Sequence, residues 1–213
     1  MTLDGRPVRT PAKQPLVVPS LPLAQIIAAE WDAQDQTIRP ETMPFTRSAN
    51  SAIDRVAPQR SEVVDIIAAY GDADLLCYRA PQPQALVERQ AAEWDPLLAW
   101  SAATLGAHLL PRVGVMHAKQ PPETLAVLHD HVRGLDPFVL TALHDLVALS
   151  GSLVLGFAVL RAHVRPDEAW RLSRIDEDWQ IALWGTDEEA TEIIARKKTD
   201  FLHAAQFHDF CVK

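Results

Sequence analysis

Residues 142–160, ALHDLVALSGSLVLGFAVL, contain the most apolar run of the chain, LVLGFAVL at 153–160. This run is far too short to span a bilayer, which takes about 20 residues, and it is typical of a buried helix. Ser150-Gly151-Ser152 interrupts the apolar pattern with small residues, and the GxSxG pattern of a nucleophile elbow is absent. The segment therefore predicts two buried helices that meet at residues 150–152.

The rest of the second half carries repeated signals for helix starts. Asp95-Pro96 and Asp136-Pro137 each place an acid that can cap a helix before a proline at the first helical position. Pro121-Pro122 and Arg165-Pro166 predict two further starts. We therefore expect an all-helical bundle over residues 81–213, after a linker at 80–84 (APQPQ).

The first half mixes short strands with helices. Asp4-Gly5 is a hairpin-turn pair, and LVVP at 16–19 and DLLCYRA at 74–80 read as strands. The apolar spacing predicts three helices, namely one over 21–34 behind Ser20, one ending at Pro58, and one between Ser61 and Gly71. The predicted fold class is α+β, with a small N-terminal α/β domain over residues 1–80 followed by the helical bundle.

Composition excludes several classes of function. The chain has 213 residues with 20 basic and 28 acidic side chains, a formal charge of −8, so we expect no nucleic-acid partner. The two isolated cysteines, Cys77 and Cys211, make no disulfide framework and fit a reducing compartment. The N-terminus is polar and turn-rich and contains no signal peptide, so neither secretion nor membrane insertion is expected.

The sequence offers no clear catalytic constellation. Neither GxGxxG nor GxxxxGK[ST] occurs, so we expect no nucleotide and no other cofactor. His129 and His131 are two residues apart, which on a helix sends them to different faces, and no HExxH zinc pattern is present. A small helical enzyme with a carboxylate–histidine or metal site around His129, Asp130 and His131 remains the alternative hypothesis.

The most acidic stretch, SRIDEDWQIALWGTDEEA at 173–190, also contains two tryptophans. Thr186 and Glu189 have capping-box spacing, which predicts a last helix over 187–205 and gives the acids at 187–189 a place in its first turn. A helix starting at Pro166 would instead put the acids at 176–178 in its third turn or later, where no dipole favours them. These three acids are either a solvated face or a surface that meets a basic partner.

Seven segments together resemble one known family, the ATP-twelve chaperones that assist assembly of the F-type ATP synthase. They follow the family's order over nearly the whole chain, and members usually carry further residues ahead of LDGR, so we expect a smaller first sheet or a truncated sequence. The segments are LDGRPVRTPAKQPLVVPS, LAQIIAAEWDAQ, TMPFTRSANSAID, DLLCYRA, WDPLLAW, SGSLVLGFAV and DEDWQIALWGTDEEA.

The resemblance implies a function without catalysis. Members of the family bind the unassembled alpha subunit of the catalytic head and keep it from aggregating until the beta subunit replaces it. Because members occur in mitochondria and alphaproteobacteria, and this chain lacks a transit peptide, we expect a bacterial protein of the cytoplasm that is a monomer when free.

Acids and tryptophans of the 173–190 stretch are the candidate contacts with the alpha subunit. Tryptophan is a favoured interface anchor, and acids around it would steer a basic partner surface. We expect at least one of Trp170, Trp179 and Trp184 to lie in the bundle core. The candidate partner-binding residues are Glu177, Asp178, Trp179, Trp184, Glu188 and Glu189.

A second set of residues lies in the N-terminal part. Trp31 ends an apolar helical stripe and is expected in the core. Arg47 and Asn50, with Asp54 four residues after Asn50, form either a structural hydrogen-bond network or part of a groove between the domains.

Overall fold

The computed structural model describes residues 2–3, 6–35 and 37–212. The predicted turn at Asp4-Gly5 lies outside these residues, although the strands on either side of it pair antiparallel, with Thr2 opposite Pro7 and Leu3 opposite Arg6.

Helices dominate the described part of the chain, and the strands are only two residues long. The strands of the described residues are β1 (Thr2–Leu3), β2 (Arg6–Pro7), β3 (Tyr78–Arg79) and β4 (Arg112–Val113). The helices of the first half are α1 (Leu21–Asp32), α2 (Pro44–Ser51), α3 (Arg60–Ala69) and α4 (Gln84–Trp100). Those of the second half are α5 (Pro122–Arg133), α6 (Pro137–Ser150), α7 (Leu153–Leu160), α8 (Pro166–Leu172), α9 (Ile175–Trp184) and α10 (Glu188–Val212). Short π-helical turns, Ala52–Val56 and Ser101–Leu105, continue α2 and α4.

The two central helices, α6 and α7, meet as predicted. The Asp136 carboxylate accepts hydrogen bonds from the backbone of Phe138 and Val139 at the start of α6. Gly151 ends that helix at φ 73°, a left-handed conformation that glycine adopts without a Cβ clash. The Ser152 hydroxyl then caps α7 by accepting from Leu155 N at 3.0 Å. The 150–152 break is therefore a pair of helix caps.

Helix α7 lies in the middle of the larger hydrophobic cluster. Its residues 153–159 are all buried, which explains the continuous apolar run in the sequence. The cluster joins α7 to α3, α4, α6, α8 and the middle of α10. No helix of the described residues is both long enough and apolar enough to cross a membrane.

A smaller hydrophobic cluster holds the N-terminal segment. Leu23 and Ile27 of α1 pack there with Phe45 of α2 and with Phe207 and Cys211 near the end of α10. The chain's last helix therefore belongs to both clusters. Strand β3 pairs in parallel with β4, so backbone pairing also joins the parts of the chain before and after residue 80. The division into domains 1–80 and 81–213 stays a prediction.

Two local predictions were wrong, and a third was right only in part. LVVP at 16–19 forms no strand. Leu16 N donates one backbone hydrogen bond to Val8 O, and the Leu16 side chain is buried. DLLCYRA forms a strand only at Tyr78–Arg79, because the preceding Leu75–Cys77 is a 3-10 turn, which the Asp74 carboxylate caps through Leu76 N. The third helix begins at Arg60, so Ser61 lies inside it.

The Asp95-Pro96 start was also wrong, since both residues lie inside α4. The Asp95 carboxylate forms an ion pair with Arg79 at 2.7 Å and caps no helix. Trp94 and Leu97, the residues before Asp95 and after Pro96, are buried in the larger cluster. Packing thus keeps the helix continuous through the proline.

Candidate functional site

Helix α4 holds α8 and α9 in place through buried polar contacts. Trp94 is fully buried and its indole Nε1 donates to Leu172 O at 2.9 Å, at the end of α8. Gln90, also fully buried, donates through Nε2 to Asp176 Oδ1 at 2.5 Å, and its Oε1 accepts from Ala80 N at 2.8 Å. One amide therefore links the end of β3 to the first turn of α9.

The acids at 176–178 occupy a different place from the one predicted. Helix α8 ends at Leu172 and a new helix begins at Ile175, so these acids form the first turn of α9. There the positive end of the helix dipole favours them, by about 0.3–1 kcal/mol each at exposed positions. Their clustering is thus explained by helix physics and is not in itself a sign of a partner.

The three acids differ in what they contact. Asp176 bonds Gln90, and its partial burial raises the pKa of that carboxyl above its usual value. Asp178 pairs with Arg174 at 3.4 Å. Glu177 is exposed to solvent. Of the three, Glu177 is the side chain most available to a partner.

Trp170 and the two tryptophans of the acidic stretch lie at three depths. Trp170 is 5% exposed in the bundle core, which confirms that at least one of the three is buried there. Trp179 is half-buried against the larger cluster, and its Nε1 is buried without a hydrogen-bond partner among the described residues. Trp184 is 84% exposed at the end of α9, and its neighbour Leu183 is 61% exposed.

A tight turn joins α9 to α10. Gly185, at φ 78° and ψ −179°, takes a positive-φ conformation that is open almost only to glycine, directly after Trp184. The predicted capping box at Thr186 was wrong, because the cap is Asp187, whose carboxylate accepts from Ala190 N at 2.6 Å. Glu188 and Glu189 follow in the first turn of α10 and are exposed.

Four of the six predicted residues are exposed on α9 or at the start of α10. Glu177 and Trp184 are seven residues apart, two helical turns, so they share one face of α9 about 10 Å apart along its axis. Glu188 and Glu189 follow within five residues of Trp184. We call Glu177, Leu183, Trp184, Glu188 and Glu189 the acidic tip. Asp178 and Trp179 face other surroundings.

Sequence reasoning missed two contributors to this surface. Leu183 gives no signal, because an apolar residue beside Trp184 on a short helix reads as core. Gln90 orients α9 from 86 residues away in sequence, and a polar residue inside the α4 pattern gives no hint of its partner.

The residues of the alternative enzyme hypothesis point in separate directions. His129 Nε2 lies 2.9 Å from an oxygen of Asp65, and His131 Nε2 lies 2.9 Å from Leu105 O. Asp130 pairs with Arg133 at 2.8 Å. Within residues 2–3, 6–35 and 37–212, no group of three or more His, Cys, Asp or Glu side chains could hold a metal ion.

The N-terminal set is held by contacts other than those considered from the sequence. Trp31 is partly buried beside the smaller cluster. The Asp54 carboxylate accepts from the Thr10 hydroxyl at 2.6 Å and from Ala12 N at 3.0 Å, so it fastens the N-terminal segment. Arg47 is exposed, and Asn50 Oδ1 is buried without a hydrogen-bond partner among the described residues.

Known proteins resemble this chain in sequence and in fold. Residues 1–102 match the family model of the ATP12 chaperone protein. The crystal structure of Atp12 from Paracoccus denitrificans is 49% identical, with a TM-score of 0.95 over 98% of this chain and 90% of that one. A mutant of that protein, in which lysine replaces an aspartate, has the same identity and TM-score. The mitochondrial atp12 protein of Schizosaccharomyces pombe is 27% identical over 204 residues, 90% of this chain and 70% of the relative.

Proposed function

Because this chain belongs to the ATP12 chaperone family, we propose that it is an assembly chaperone of the F-type ATP synthase whose client is the unassembled alpha subunit. A subunit destined for a ring has apolar interface surface that self-associates when it is left bare. A chaperone for such a subunit needs an exposed apolar anchor that can cover part of this surface.

The observation that carries the proposal is the acidic tip. Trp184 and Leu183 are 84% and 61% exposed at the end of a helix whose other contacts fix its position. Tryptophan in the centre of an interface is commonly worth about 2 kcal/mol or more when truncated. Since the side chain is already presented on a held helix, little ordering is needed when a partner covers it.

Charge supports a basic surface on the client. Glu177 is exposed on α9, which ends at Trp184, and Glu188 and Glu189 are exposed in the first turn of α10. Such acids raise the rate of encounter with a basic patch more than they raise the final affinity. Because all three lie in the first turn of a helix, where the dipole favours acids, the proposal rests on their exposure around Trp184 and not on their number.

Release follows from competition. The sequence has no nucleotide-binding motif, so the chaperone works by equilibrium binding, and the beta subunit displaces it by taking the same surface of the alpha subunit. We place this activity in the bacterial cytoplasm, with the mitochondrial matrix as the corresponding site for eukaryotic relatives.

Charge reversal tests the acidic tip directly. The double variant Glu177→Lys, Glu189→Lys is expected to slow capture of free alpha subunit and to leave more of it aggregated, measured by light scattering at low salt. The matched control is the double variant Glu62→Lys, Glu123→Lys, which reverses two exposed acids in the first turns of α3 and α5 and so makes the same change in net charge at a similar helix-dipole cost.

Undiminished protection by the folded double variant contradicts the acidic tip as the client site. An equal loss in the Glu62→Lys, Glu123→Lys control contradicts it as well, because the effect would then follow net charge alone. Raising the salt concentration should reduce the difference in capture rate between wild type and the double variant, because salt screens the attraction between charges.

A further inference from the structure

A second exposed apolar feature lies in the loop that contains β4. Val113, Val115 and Met116 are 74%, 91% and 82% exposed, and residues 113–116 contain no charged side chain. Contiguous exposed apolar residues of this kind mark interaction sites in proteins. We call Val113, Val115 and Met116 the apolar loop.

The apolar loop residues lie in a segment that runs from Leu110 to Gln120, and hydrogen bonds join the two ends of this segment. The Gln120 side chain accepts from Leu110 N at 2.8 Å and donates to Leu110 O at 3.0 Å, which closes the loop at its base. Arg112 donates to Lys119 O at 2.9 Å one step further out. Compact loops closed in this way are frequently functional.

The loop is also fixed to the body of the protein. Gly114 N donates to Arg79 O at 2.8 Å, which extends the pairing of β4 with β3. The Tyr78 hydroxyl lies 3.1 Å from His117 Nδ1, and His117 Nε2 lies 3.3 Å from an Asp72 oxygen. The exposed valines and methionine are therefore presented in a held conformation, which lowers the entropy cost of covering them.

One chain of contacts joins this loop to the acidic tip. Strand β3 pairs with β4 and continues into Ala80, whose N–H is held by Gln90. The same Gln90 side chain holds Asp176 at the start of α9. Gln90 of α4 thus connects the strand that pairs with the loop to the start of α9.

We infer that the apolar loop is a second anchor for the same client, the unassembled alpha subunit, and that it covers apolar ring-interface surface while the acidic tip meets a basic patch. This inference rests on the proposed function. The two anchors differ in chemistry, since residues 110–119 contain Arg112, His117 and Lys119 but no acid. A second copy of this chain is the competing occupant, and concentration dependence separates the two.

The first test removes the apolar character of the loop. The variant Val115→Ser, Met116→Ser changes only exposed side chains, so its fold is expected to be retained. Val17→Ser, at a position that is 69% exposed in the N-terminal segment, is the matched control. We expect the affinity for free alpha subunit to fall by about tenfold in the loop variant and by less than about twofold in the control.

The second test locates the contact without removing it. Cys77 and Cys211 are buried, and burial raises the pKa of both thiols to about 12, so they resist labelling. Val115→Cys adds an exposed thiol for an environment-sensitive fluorophore, and Val17→Cys is the control. We expect a blue shift at position 115, and none at 17, when alpha subunit is added.

The outcomes separate the two proposals. If wild type binds alpha subunit but neither loop test shows an effect, the inference is overturned and the proposed function stands. If wild type fails to bind alpha subunit, both fall. A shift at position 115 that needs only a higher concentration of the chaperone identifies a second copy as the occupant, and this also overturns the inference.

Discussion

At the scale of single residues, the buried carboxylate of Asp74 fastens the first half of the chain to the central helices. It is fully buried and accepts from the Ser152 hydroxyl at 2.7 Å, from Val154 N at 3.0 Å and from Leu76 N at 3.0 Å. Burial is the largest influence on this group and raises the pKa of Asp74 to about 6, although the hydrogen bonds act in the opposite direction.

The raised pKa of Asp74 predicts a pH dependence of stability. Since the folded protein holds this proton more tightly than the unfolded chain does, its contribution to stability is fully present below pH 3.8 and is lost as pH rises through about 6. We expect the free energy of unfolding of wild type, relative to Asp74→Asn, to fall by as much as about 3 kcal/mol over this range. Urea titrations of both proteins at several pH values measure it, and a difference that stays constant or rises with pH contradicts the assignment.

At the scale of secondary structure elements, the crossing of α6 and α7 depends on Gly156. A Cβ at this position would lie 2.8 Å from both Leu143 Cδ1 and Val147 Cγ2, and both side chains are buried where they have little room to move. The close approach of the two helices therefore requires a residue without a side chain.

Replacing this glycine should destabilise the protein. We expect Gly156→Ala to lower the free energy of unfolding by about 1–3 kcal/mol, because the added methyl group overpacks the core. Gly134→Ala is the control, since Gly134 has φ −72° and a Cβ there would lie no closer than 3.5 Å to its neighbours. Chemical denaturation of the two variants compares them, and equal stabilities would contradict this view of the crossing.

Local signals predicted some helix ends correctly, but packing overrode others, such as the Asp95-Pro96 start that lies inside α4, and breaks set by packing alone gave no signal. Asp136-Pro137, Ser20 and Gly151 carry their caps within a few residues, so the sequence predicted them. The break between α8 and α9 has neither proline nor glycine, and the Ser173 hydroxyl simply turns back to Trp170 O at 2.8 Å. For that reason the prediction that the acids at 176–178 lie late in a helix starting at Pro166 was wrong.

In the candidate site, too, some features could be predicted from the sequence and others depend on packing. Exposed acids beside tryptophans could be found from the sequence, and Glu177, Trp184, Glu188 and Glu189 are all exposed, while their part in binding a client stays a prediction. Their depth could not be found, because whether a tryptophan is buried depends on helices far away in sequence. Trp179, which was named with them, lies half-buried against the larger cluster.

At the scale of the whole molecule, α10 ties the two hydrophobic clusters into one body. Phe201, Ala204 and Ala205 pack in the larger cluster, and Phe207 and Cys211 pack in the smaller one. The same helix begins at the acidic tip with Glu188. The proposed client surface is thus one end of an element whose other end is locked among α1, α2 and α6, which suits a rigid platform that binds without changing shape.

The most direct measurement of the central claim is a displacement experiment with purified subunits. Free alpha subunit is first mixed with this protein and passed over a size-exclusion column, and an excess of beta subunit is then added before a second passage. We predict a complex of alpha subunit with this protein in the first passage, and in the second an alpha–beta complex with this protein eluting free. Persistence of this protein on the alpha–beta complex, or absence of the first complex, would contradict the claim.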